Sequence, residues 1–79
     1  MQRYYARDYD VQTGRDRETG EYVAIVKEFP SLSWVSEYNR VLAASGLRDL
    51  LNDVLEDMYA NGEDVPRPRT RELNSIFVG

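Results

Sequence analysis

The chain contains no cysteine and no histidine among its 79 residues. Without cysteine there are no disulfides, no thiol nucleophile and no thiolate-held metal. Without histidine the commonest general base and metal ligand is missing as well, so most catalytic constellations fall away together. Cationic charge is also in deficit, with Lys+Arg 10 against Asp+Glu 14, a net charge of −4 and a pI near 4.7. That balance opposes non-specific attraction to a phosphate backbone and favours a basic partner. No apolar run approaches the ~18 residues of a membrane span. The opening residues MQRYYARDYD lack the apolar core of a secretion signal. A soluble, cytoplasmic protein is expected, folded as one domain over residues 1–79.

What the sequence does have is a long amphipathic stretch over 39–61. Leu47, Leu50, Leu51, Val54, Leu55 and Met58 recur in steps of three and four, which places them on one side of a helix of about six turns. Arg48, Asp49, Asn52, Asp53, Glu56 and Asp57 take the other side. Ser36 and Asn39 are both suitable N-caps, and Asn61-Gly62 supplies a stop. Ala43, Ala44, Ser45 and Gly46 make a patch of small residues. Gly46 costs about 1 kcal/mol relative to alanine inside a helix, a cost understood if the helix must sit close over a sheet.

The upstream residues read as that sheet. Mixed tyrosines and charges over 8–16 suggest a first strand, with Tyr5, Tyr9, Val11 and Thr13 on one side. Asp16 to Gly20 have hairpin-loop chemistry. Residues 21–28, β-branched and aromatic with little alternation, predict a central strand buried on much of both faces, ended by Phe29-Pro30. Residues 31–36 predict a third strand, in which Trp34 packs near the helix start. After the helix, a proline-interrupted connector over 63–70 leads to a last strand over 71–78. The fold class expected is α+β: a two-layer βββαβ arrangement, its mostly antiparallel sheet covered by one long helix.

Three surface features carry chemistry. Between Arg48 and Asp64 stand Asp49, Asp53, Glu56, Asp57, Glu63 and Asp64 against a single arginine, a field that would steer a basic protein. We take Asp49, Asp53, Glu56 and Asp57 as the candidate partner-binding residues. Arg67, Arg69 and Arg71, spaced by two, would share one side of an extended segment and form the alternative, a nucleic-acid contact. Asp8, Asp10, Asp16, Glu21 and Glu28 could serve a magnesium-dependent nuclease only by converging on the ions. Neighbouring Arg7, Arg15 and Arg17 make solvated edge charges the simpler account. Neither catalytic residues nor a cofactor are expected. A homodimer is expected, because outer strands leave N–H and C=O groups for another copy, with Leu73, Ile76, Phe77 and Val78 as the contact.

Taken together, Arg15-Asp16 with Glu18-Thr19-Gly20-Glu21-Tyr22-Val23-Ala24, then Val26-Lys27-Glu28-Phe29-Pro30-Ser31-Leu32, then Asn61-Gly62-Glu63-Asp64-Val65-Pro66-Arg67-Pro68, form an ordered set of motifs. In order and spacing the set resembles the HicB-type antitoxin family, over about residues 8–78. The resemblance implies a reduced ribonuclease H-like fold and a non-enzymatic role: neutralising a small basic ribonuclease toxin of the HicA type by covering its active surface. Ser31 stands where many members have glycine. Many members also continue into a DNA-binding domain that represses their own operon, a function not carried over to these 79 residues. A stand-alone or phage-borne member that binds another host protein would share the same features.

Overall fold

The computed structural model describes residues 3–68. Three strands, β1 (Val11–Arg15), β2 (Tyr22–Val26) and β3 (Ser33–Ser36), form an antiparallel sheet in the order β1-β2-β3, and one helix, α1 (Arg40–Ala60), lies across it. A small α+β fold with the helix packed on the sheet is what the periodicities predict. Residues 71–78, with the expected last strand and the dimer contact at Leu73, Ile76, Phe77 and Val78, lie outside the described residues.

The β1–β2 hairpin is set by its loop. Asp16 N–H donates to the Glu21 carbonyl at 2.8 Å and Gly20 N–H to the Asp16 carbonyl at 2.7 Å. Gly20 sits at φ +75°, where a side chain would be strained. Asp16 Oδ1 also accepts the Glu18 N–H at 2.9 Å, so the polar loop residues satisfy backbone that the strands leave open.

Register then decides the faces. Val11 pairs with Val26, Thr13 with Ala24 and Ala24 with Trp34, which aims these side chains at α1. Ala24 and Val26 are buried, and with Leu47, Leu51 and Leu55 they make the centre of the core. Full burial of each such leucine contributes roughly 1.5–3 kcal/mol. The opposite face carries Gln12, Gly14, Val23, Ile25, Ser33 and Val35. Ile25 and Val35 are about half exposed. β2 is therefore central, as expected, but buried on one face only, because the described chain supplies a covering layer on one side alone.

The helix is capped as its ends require. Asn39 Oδ1 accepts the Leu42 N–H at 2.8 Å, whereas Ser36 Oγ accepts the Tyr38 N–H and so shapes the approach. At the other end Glu63 N–H reaches the Met58 carbonyl at 2.9 Å and Gly62 N–H the Tyr59 carbonyl at 3.3 Å, with Gly62 at φ +70°. This is the paired arrangement that terminates helices on a left-handed glycine.

The start of the chain corrects the sequence reading. Residues 8–10 are not strand: Ala6–Asp8 form a 3-10 turn, and β1 begins only at Val11. The turn is claimed by the helix. Ala6 N–H donates to Asn52 Oδ1 at 2.8 Å and Tyr4 N–H to the Tyr59 hydroxyl at 2.7 Å. Tyr9 is consequently buried in the core rather than lined up on a strand face, edge-on to Phe29 at 5.5 Å between ring centroids.

Candidate protein-binding surface

α1 presents two flanks of different chemistry. On one, the amino-terminal segment docks: besides the bonds to Asn52 and Tyr59, the Arg3 guanidinium lies 4.9 Å from the Tyr59 ring centroid and Arg7 lies 5.3 Å from that of Tyr5. Tyr5, Arg7 and Asn52 border a shallow pocket of about 350 Å³ there. The Arg3–Tyr59 contact holds the segment on the helix by roughly 0.5–1 kcal/mol, while Arg7 on Tyr5 braces the segment itself.

The other flank is marked by Trp34, whose indole sits against Gly46; a β-carbon on Gly46 would overlap Nε1, Cδ1 and Cε2. The predicted close approach is thus present, and it comes from an aromatic ring at the second turn. Leu42, Gly46, Asp49, Asp53 and Asp57 follow one another at spacings of three and four, so they run in line along this side. Trp34 remains 43% exposed and Leu42 48%, so the apolar end of the line is open to solvent.

Asp49, Asp53, Glu56 and Asp57 are all exposed on α1, as expected of its polar side. None has an ion-pair partner among the described residues. Their placement works against the helix. Asp49–Asp53 and Asp53–Asp57 are like-charge pairs four apart, each unfavourable by about 0.2–0.5 kcal/mol. Asp57 falls in the last turn, where the helix dipole disfavours negative charge, while the first turn holds no acid and the last turn no base.

The other candidates do not gather. Asp16 and Glu21 pair at the hairpin tip, whereas Asp10 and Glu28 lie beyond the opposite end of the β1–β2 ladder, which from Arg15 to Val11 alone spans about 13 Å at strand rise. Among the described residues no group of three or more such ligands is placed to hold a metal. Arg67 is exposed, and Arg69 and Arg71 lie outside the described residues.

Two features escaped the sequence reading. Asn52 sits among the helix's polar residues yet serves as the dock for Ala6, and the Tyr9 hydroxyl donates to the Pro66 carbonyl at 2.6 Å. Neither pairing leaves a periodicity, because the partners are 46 and 57 positions apart. Burial, with Tyr59, Glu28, Tyr4 and Asp8 adding to it, holds the Tyr9 phenol well above its ordinary range, so it stays a donor. No helix among the described residues is long and apolar enough to cross a membrane. No family model, no curated protein and no solved structure matches the chain.

Proposed function

We propose that this protein is a non-enzymatic binding module that neutralises a small basic ribonuclease toxin of the HicA type, using the acidic side of α1. The observation that carries the reading is the stripe of Asp49, Asp53, Glu56 and Asp57: exposed, without ion-pair partners in the described chain, and placed where helix stability is lowered rather than raised. A fold of this size has little stability to spare, so a stripe of mutually repelling acids is best accounted for by a cationic partner. The motif resemblance supplies the identity of that partner, a ribonuclease whose positive substrate-binding surface would be covered by the helix.

The test is to co-purify the chain with the product of a neighbouring small, basic, histidine-containing reading frame and assay RNA cleavage. A complex that forms and blocks cleavage supports the reading. It would also dissociate as salt rises from 50 to 500 mM, since exposed charges are screened beyond a Debye length of about 10 Å at 0.1 M. Cleavage that proceeds unchanged at a several-fold excess of this protein overturns it.

A further inference from the structure

β3 is an outer strand with no neighbour on its far side among the described residues, and Ser33–Ser36 contain neither charge nor proline to discourage pairing. From this strand Trp34 rests against Gly46, and the line of α1 that passes through Gly46 is apolar at Leu42 and, by its spacing, acidic at Asp49, Asp53 and Asp57. The chain leaving α1 is fastened elsewhere: Val65 packs on the core and the Pro66 carbonyl is held by Tyr9, two residues before β1. A second copy suits this groove poorly, because it would bring an identical line of carboxylates and a further net charge of −4.

We infer that the β3 edge and the flank above it form one groove that takes an extended basic segment of a partner protein as an added strand. The partner's backbone N–H and C=O groups pair with Ser33–Ser36. Of the side chains it turns toward α1, an apolar one fills the space between Trp34 and Leu42, and lysines or arginines reach Asp49, Asp53 and Asp57. Main-chain pairing then supplies affinity and the alternate side chains supply specificity. This rests on the partner-binding reading above and adds to it the mode of contact and the kind of segment bound.

Trp34 is the sole tryptophan, so the groove has its own reporter. The probe is a capped peptide, Lys-Val-Leu-Val-Lys-Val-Lys, titrated into the full chain and followed by indole fluorescence and by amide shifts in nitrogen-15-labelled protein. Two controls accompany it: the same peptide N-methylated at alternate residues, which cannot pair as a strand, and one with glutamate for lysine. The expected result is a blue shift of Trp34 emission with amide shifts centred on Ser33–Ser36. Both controls abolish it, and the Asp53→Lys/Asp57→Lys double variant weakens it at least about tenfold, the scale of a few close charge pairs.

Equal binding of the N-methylated peptide, or shifts confined to α1 without β3, overturns the added-strand mode while leaving the acidic helix as a partner surface. Absence of any response up to millimolar peptide overturns the groove itself. In either case the toxin experiment above decides the functional reading independently.

Discussion

The indole of Trp34 occupies the place where a side chain on Gly46 would be. Sheet and helix are brought to their separation at this point by a residue with no β-carbon facing the largest side chain in the chain. Gly46→Ala would gain about 1 kcal/mol of helix propensity. It would lose about 1–3 kcal/mol from displacing the ring. The variant should therefore melt lower than the wild type, with Trp34 emission shifted to the red as the indole is pushed outward. If its melting temperature rises, the contact is not the constraint described.

Tyr9 links stability to alkaline pH. Its folded-state pKa is raised above the ordinary 10.0, chiefly by burial. The folded protein therefore prefers the neutral phenol. The resulting stabilisation is complete below about pH 10, the unfolded value, and declines as pH rises beyond it. Urea titrations at pH 8, 10 and 11 should show this loss. In Tyr9→Phe the part of the loss due to this group disappears, alongside a pH-independent cost of about 1 kcal/mol from the missing bond to Pro66.

Replacing the helix caps should separate the two ends of α1. Asn39→Ala removes the acceptor for Leu42 N–H and should cost about 1 kcal/mol. Gly62→Ala forces a β-carbon into a φ of +70° and should cost about 1 kcal/mol, through strain rather than contact, since nothing lies within 4 Å of the added atom. Chemical denaturation measures both, and an unchanged midpoint for either removes that cap from the account.

The acidic stripe makes an opposite prediction for stability and for binding. Converting Asp53 and Asp57 to asparagine removes two repulsive pairs and an unfavourable interaction with the helix end, so the free protein should gain about 0.5–1 kcal/mol. Affinity for a basic partner should fall. A thermal melt and a binding isotherm on one preparation check both signs, and a loss of stability would show that the carboxylates are structural.

How much of this was legible beforehand follows from the range of the interactions involved. α1 and its caps, the Asp16-to-Gly20 loop and the three strands all rest on contacts within a few residues, and these leave periodic or turn-specific marks. The entry to β1 was misread because tyrosines alternating with charges look like strand. The choice between strand and 3-10 turn over residues 6–8 was made by Asn52, 46 positions away. The one-sided burial of β2 was invisible for a related reason. A run such as Tyr22-Val23-Ala24-Ile25-Val26 has the same apolar character whether one or both sides are covered. For the candidate surface, the acids of α1 could be listed from spacing, but the open Trp34–Leu42 end beside them depended on β3 register.

The beginning of the chain is stitched to its later half at three points: Tyr4 to Tyr59, Ala6 to Asn52 and Tyr9 to Pro66. Such stitching turns an otherwise linear series of hairpin, strand and helix into a closed loop, so residues 4–9 and the later part of α1 open together. Amide protons of the final helical turns and those of residues 4–9 should exchange with deuterium at matched rates, and trimming residues 1–8 should loosen the far end of α1 as surely as cutting the helix there.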